Sequence, residues 1–194
     1  MWPWEHAALG YLGYSLGYRL LGRDPPGNSD TVALGLATQL PDLVDKSLAW
    51  GLGLFPTGFA IAHSVFVALP VGVAALALGR RRERVRESAG FIIGYWSHLV
   101  ADVVNPLRTG GQPLFVRVLW PLVEMTAYDA DYGLGRGLVY IQEFIAAVRA
   151  MNPLDVLVLY ALLPGMTLAL WIVEGTPGTA VFRRACTTVR HRVR

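Results

Sequence analysis

Cysteine is almost missing from these 194 residues: Cys186 stands alone, so no disulfide framework holds the chain together. Lysine is as scarce, with Lys46 set against sixteen arginines. Charged side chains make up only 16% of the chain, where a soluble domain carries about a quarter. With 54% hydrophobic residues and a mean hydropathy of +0.42, that shortage excludes intrinsic disorder. It also leaves little polar surface for a water-soluble globule. No strand-period alternation persists long enough for a sheet, and there is no internal repeat. The start, Met-Trp-Pro-Trp-Glu-His, has no basic n-region, so a cleaved signal peptide is not expected. The net charge of +3 raises nucleic acid as a partner. The arginines, however, gather at Arg80 to Arg86 and Arg183 to Arg194, with no accompanying recognition motif, so none is expected.

What is present is long apolar sequence. Residues 47 to 79 contain no Lys, Arg, Asp or Glu, and the half from Phe59 to Gly79 is long enough to cross a bilayer, which takes about 20 apolar residues. A second such run is Val156 to Val173. Shorter ones, His6 to Tyr18, Thr31 to Pro41 and Ser88 to Ala101, end in or contain ionisable residues. Helices are expected at 4–22, 31–54 (broken at Pro41), 58–79, 88–105 and 154–174, with Pro106 stopping the fourth. Gly10, Gly13 and Gly17 lie on adjoining faces of the first, as where membrane helices pack closely. The 107–153 stretch is mixed, with an amphipathic helix at 139–150. The fold class is therefore all-α: a polytopic membrane bundle of about four to six helices, with a partly irregular 107–153 segment. It forms one membrane-embedded domain over 1–176, followed by a basic tail over 177–194. The positive-inside rule places both arginine clusters in the cytoplasm of a prokaryotic plasma (inner) membrane.

That topology gathers ionisable groups near the outer face. His6 falls at the outer start of the first helix, Asp42 and Asp45 follow the outer end of 31–40, and His63 sits in the first turns of its helix. His98 and Asp102 lie in the outward half of theirs. Such groups are costly inside a bilayer, and a divalent cation compensates them, imidazole and carboxylate being its ordinary ligands. Each pair also has a plainer reading. His98 and Asp102, at i,i+4, share a helical face and suit either a structural hydrogen bond or a metal pair. Asp42 and Asp45 follow a proline that favours a helix start, where aspartate caps. His63 with Ser64 suits hydrogen bonding across helices.

The joint pattern resembles the YdjM-like family of membrane-bound metal-dependent hydrolases. The resemblance rests on His6, Leu40-Pro41-Asp42-Leu43-Val44-Asp45, His63-Ser64 and Gly94-Tyr95-Trp96-Ser97-His98-Leu99-Val100-Ala101-Asp102. Asn105-Pro106 with Gly110 and Gly111, and Leu119-Trp120-Pro121-Leu122, complete it over about residues 4–125. It departs from the family's His-Arg-x-x-Thr-His-Ser pattern at Gly58-Phe59-Ala60-Ile61-Ala62-His63-Ser64, where the upstream histidine and arginine are absent. The stretch between Gly111 and Leu119 is also longer than the pattern has.

The resemblance implies a hydrolase that uses one or two divalent ions, zinc or manganese, held by His6, Asp42, His63, His98 and Asp102. Asp102 would bridge if there are two. Asp45 would act catalytically by accepting a proton from water, or would orient a liganding histidine. The implied partners are membrane lipid and a small-molecule or lipid-linked substrate, such as a phosphate ester. Two other classes stand beside it: a non-catalytic membrane protein that binds a partner or uses metal to hold its bundle together, and a metal or proton carrier. A carrier needs polar residues across the membrane depth, and Gly72 to Gly79 has none.

Overall fold

A computed structural model describes residues 1–181; most of the basic tail expected over 177–194, including its arginine cluster from Arg183, lies outside the described residues. Seven α-helices form the described part, and no strand occurs in it. They are α1 (Pro3–Leu20), α2 (Asn28–Ala37), α3 (Leu40–Lys46), α4 (Val65–Arg81), α5 (Val85–Val104), α6 (Arg136–Ala150) and α7 (Pro153–Val173). A π-helical turn, Ser47–Gly51, extends α3, and another, Leu157–Ala161, lies within α7. Short 3-10 segments at Asn105–Thr109, Phe115–Val118 and Gly133–Gly135 account for the irregular character of the 107–153 stretch.

Helix α5 is the hub. Its Gly90 and Gly94 bring it against the main chain of α2. A Cβ on Gly94 would stand 2.5 Å from the Leu34 carbonyl oxygen, and one on Gly90 would stand 2.5 Å from that of Asp30. Only hydrogen fits at either place. Of the three glycines expected to pack on α1, Gly10 alone does so, against Thr38 and Ser97. Gly13 and Gly17 meet nothing within 4 Å. Tyr11, Tyr14, Tyr18 and Leu34 fill the space between α1 and α2, while Ala37, Ala68, Tyr95, Leu99, Val103 and Val118 fill the side toward α4.

Helix α7 is clasped to α1 by the Glu174 carboxylate just beyond its end, which accepts from Tyr11 Oη and Ser15 Oγ, each at 2.5 Å, and from Arg19 Nη2 at 2.7 Å. Burial opposes that charge, and the hydrogen bonds outweigh it, holding the Glu174 carboxyl below its ordinary range.

Two helix boundaries differ from expectation for local reasons. The break expected at Pro41 comes just before it, at Thr38 and Gln39. Proline lacks the amide that a helix interior needs and is tolerated in the first turn, so it sits at the start of α3. The helix expected at 58–79 begins only at Val65. The amides of Ala60, Ala62 and His63 donate instead to the Asp45 carboxylate, and Ser64 Oγ caps the helix by accepting from Phe66 N. His63 therefore lies in the turn ahead of α4 rather than inside it.

Among the described residues, α7 is the one helix long and apolar enough to span a membrane. Helix α4, expected to be a second span, has 17 residues and ends in Arg80 and Arg81. Both turn large apolar side chains outward: Phe66, Leu69, Val73 and Leu78 on α4, and Leu157, Val158, Leu162, Met166, Leu168 and Ile172 on α7.

The glycine contacts predict a sharp contrast. Gly94→Ala should lower stability by roughly 1–3 kcal/mol, because its methyl group meets main chain that cannot turn aside. Gly13→Ala should be neutral or stabilising by up to about 1 kcal/mol, through helix propensity alone. Thermal melts of the detergent-purified protein would read both, and equal melting temperatures would contradict the close α2–α5 approach.

Candidate metal centre

Asp42, His63, His98 and Asp102 meet in the bundle interior, with one ligand atom from each lying within 4.8 Å of all the others. All four residues are buried, the two histidines completely. His63 Nε2 is 3.1 Å from His98 Nε2, 3.5 Å from Asp42 Oδ1 and 3.4 Å from Asp102 Oδ2. His98 Nε2 is 3.5 Å from Asp102 Oδ2 and 3.8 Å from Asp42 Oδ1. A tetrahedral ion with bonds of about 2.0–2.1 Å has ligand-to-ligand edges of roughly 3.3–3.4 Å. The five distances surround that value.

The far side of each ring explains how the imidazoles are aimed. His98 Nδ1 lies 2.7 Å from the Thr38 carbonyl oxygen, which can only accept, so that nitrogen carries the proton. The Thr38 carbonyl is available because α2 ends there, leaving its last carbonyls without helical partners. His63 Nδ1 lies 2.8 Å from Asp45 Oδ2. Two neutral imidazoles tethered in this way turn lone pair toward lone pair at 3.1 Å. Such a contact requires a positive centre between them, a proton or a metal ion. Asp42 Oδ1, buried and without a hydrogen-bond donor, faces the same place. Its other oxygen takes Lys46 Nζ at 2.6 Å, one helical turn away.

Asp45 is bound on both oxygens. Oδ2 accepts from Ala60 N, His63 N and His63 Nδ1, while Oδ1 accepts from Ala62 N. Asp42 lies in the first turn of α3, as the helix-start reading has it, but neither aspartate side chain makes a cap hydrogen bond there. His6 stands beside the four rather than among them. Its ring stacks on His98 with centroids 3.8 Å apart, and its Nε2 is 3.4 Å from Asp102 Oδ1, the oxygen turned away from His63 and His98. Both of its ring nitrogens are buried without a hydrogen-bond partner. The Met1 nitrogen donates to that same Asp102 oxygen at 3.1 Å.

The remaining sequence motifs hold this arrangement in place. Ser64 Oγ donates to the Trp120 carbonyl at 2.5 Å, tying Leu119-Trp120-Pro121-Leu122 to the start of α4. Tyr95 Oη donates to the Ala62 carbonyl at 2.5 Å. Gly110, at φ 78°, reverses the chain after the turn that begins at Asn105-Pro106. Leu114 N then donates to the Val103 carbonyl and brings Phe115–Val118 under α5.

Residues 1–176 match the model of the family described as YdjM inner membrane protein. The chain belongs to that family. No curated protein and no solved structure matches it. For this YdjM family member, the polar cluster thus sits within a fold whose family is described as residing in the inner membrane.

Sequence reasoning did not single out three contributors: the Thr38 carbonyl, Lys46 as partner of Asp42, and Arg117. A main-chain carbonyl leaves no mark in sequence. Arg117 had one, since it is a base outside both arginine clusters and sits two residues before the Leu-Trp-Pro-Leu motif. Its guanidinium donates from Nη1 to the Asp102 carbonyl at 2.7 Å and lies 4.9 Å from the ring centre of Phe59.

The donor set predicts stoichiometric divalent metal in protein purified without chelator. His98→Ala should abolish it. Asp45→Asn should reduce affinity by roughly 10–100-fold, the usual cost of losing a partner that orients a liganding histidine. Elemental analysis checks both, and a metal-free wild type would remove the centre altogether.

Proposed function

We propose that this protein is a membrane-embedded, metal-dependent hydrolase. In this reading Asp42, His63, His98 and Asp102 hold a zinc or manganese ion, and the substrate is a phosphate ester or lipid-linked compound at the outer leaflet. The observation that carries the reading is the pair of tethered imidazoles whose free nitrogens converge at 3.1 Å between two carboxylates. When bound, the ion supplies Lewis acidity and lowers the pKa of water to about 7, which suits attack on an ester at neutral pH.

The protein's own residues divide the remaining work. Asp45 positions His63: both its oxygens are already occupied by four hydrogen bonds, which favours orientation over proton transfer. The Thr38 carbonyl does the same for His98. Asp102 presents Oδ2 to His63 and His98 and Oδ1 to His6, so His6 and Asp102 are the residues that would hold a second ion if one were bound. The outward apolar faces of α4 and α7 support insertion in lipid, with several helices crossing the membrane and the basic tail in the cytoplasm.

One observation favours a second reading. Four buried protein ligands are also what a closed structural zinc site has, whereas a catalytic ion keeps a position open. A metal that only holds the bundle together would then explain the cluster.

Turnover separates the two. A panel of phosphate and acyl esters, offered to metal-loaded wild type and to Asp102→Asn, should show hydrolysis by the former. The variant should lose more than the roughly 10–100-fold expected from a supporting residue. Identical behaviour of the two would leave the structural reading standing. Orientation has its own test. In a Cys186→Ser background, a cysteine introduced by Thr109→Cys should react in intact cells with a membrane-impermeant maleimide, and protection there would reverse the topology.

A further inference from the structure

Arg117 stands beside the cluster without a counter-charge, whereas three other arginines of the bundle have one. Arg108 lies 2.8 Å from Glu5 Oε1, Arg19 pairs with Glu174, and Arg86 pairs with Asp30. Among the described residues no carboxylate lies within ion-pair distance of Arg117. Its Nη1 is tied to the main chain of Asp102, itself one of the four converging residues. Its guanidinium lies over Phe59, and that ring packs edge-on against His63 with centroids 4.8 Å apart. The Nε of Arg117 is buried and has no hydrogen-bond partner at all. A half-buried guanidinium with an unused donor therefore stands one side-chain layer from the cluster, anchored to one ligand residue and leaning on the neighbour of another.

The charge balance points the same way. Asp42, Asp45 and Asp102 bring three negative charges, and Lys46, Arg117 and the Met1 amino group on Asp102 bring three positive ones. A dication added to these turns the balance positive. A buried excess of positive charge is costly unless an anion joins it. A guanidinium suits a tetrahedral oxyanion, since its planar fork bonds two oxygens at once.

Resting on the metal-centre reading above, we infer that Arg117 and the metal centre together form a binding site for a phosphate-type oxyanion. Arg117 acts there as the specificity-determining residue, holding the phosphoryl oxygens through N–H groups that the fold leaves free. The chemistry is shared by a free phosphate ester and by a phospholipid headgroup.

The test uses the full-length, metal-loaded protein in detergent, with inorganic phosphate as the probe in titration calorimetry and metal content measured on each sample. Arg117→Ala should weaken phosphate binding roughly 10- to 100-fold while keeping the metal, as expected for loss of a charged hydrogen-bond donor. Arg117→Gln keeps a donor for the Asp102 carbonyl but no charge, and should show the same loss. Arg117→Lys should retain part of the affinity, and added guanidinium ion should restore some of it to Arg117→Ala. A purely structural role for Arg117 predicts that Gln supports binding as well as Arg does. A parallel arm with phosphatidic acid in mixed micelles distinguishes the sources: Arg117-dependent binding in that arm alone assigns the site to a lipid headgroup, and dependence with inorganic phosphate assigns it to free phosphate. Equal affinities of wild type and variants in both arms, with metal present, would overturn the inference and leave the metal centre intact. A wild type that holds no metal would overturn both.

Discussion

Two main chains in direct contact set the geometry on which the rest of this molecule depends. Where α5 crosses α2, Gly90 and Gly94 leave no side chain between the helices, so the register of one against the other is determined by backbone. Four residues beyond Gly94, and so on the same face of α5, comes His98. Four residues beyond Leu34, α2 ends at Thr38. The contact therefore delivers the Thr38 carbonyl to His98 Nδ1, and with it the whole orientation of that imidazole. It also determines where α3 starts, and hence where Asp42 and Asp45 arrive. A bulkier residue at Gly94 would act on the centre without touching any ligand.

Asp45 performs the matching task on the other side. An unpaired buried carboxylate costs several kcal/mol, yet this one is saturated by three main-chain amides and an imidazole. Of those amides, Ala62 and His63 are donors that the helix expected from residue 58 would have used internally, and Ala60 falls among the first four, which have no internal partner. The carboxylate thus trades helix for turn over residues 60–63, and the turn is what aims His63 inward. Burial that would be costly in isolation becomes a means of placing a ligand, since each donor stabilises the charge and is itself satisfied by it.

Legibility in the sequence followed the same division between side chain and main chain. Helical content, the α5 stop before Pro106 and the grouping of Asp42, His63, His98 and Asp102 were all readable. They rest on hydrophobic runs, on proline chemistry and on i,i+4 spacing. The start of α4 was not readable, because 47–79 is uniformly apolar and periodicity cannot show that a distant carboxylate has taken its amides. Gly13 and Gly17 looked like packing glycines, but spacing along α1 does not say which face meets a neighbour. His6 was expected among the ligands; it stands beside the four, and which Asp102 oxygen it faces depends on α1 stacking its ring on His98. The family pattern has arginine where Phe59 stands, and the ring at that position instead supports a guanidinium from a segment nearly sixty residues later. Only the chain reversal at Gly110 brings the two together.

The distribution of basic residues acquires meaning in this light. Twelve of the seventeen lie in or beside the arginine-rich stretches and the first interhelical turn, while Lys46, Arg108, Arg117, Arg136 and Arg149 stand apart. Four of these five are engaged at or around the polar end of the bundle. Lys46 holds Asp42 and Arg108 holds buried Glu5. Arg117 is bound to the Asp102 carbonyl, and Arg136 is enclosed by Tyr128, Tyr132 and Tyr140. The positive-inside rule treats a base as an obstacle to crossing the membrane. On the proposed orientation these five bases lie on the other side and carry that disadvantage, so their positions are informative where they have a buried partner. Among the described residues Arg117 and Arg136 both have a main-chain carbonyl as acceptor, of Asp102 and Ala130, and no carboxylate within ion-pair distance; of the two, Arg117 is the one bound to a residue of the cluster. A guanidinium kept in a low-dielectric interior without an anion is costly. A structure that tolerates it beside a prospective cation gains from whatever anion later shares the space. Specificity for such an anion would therefore arise from the positive excess that a bound dication adds to groups otherwise near balance.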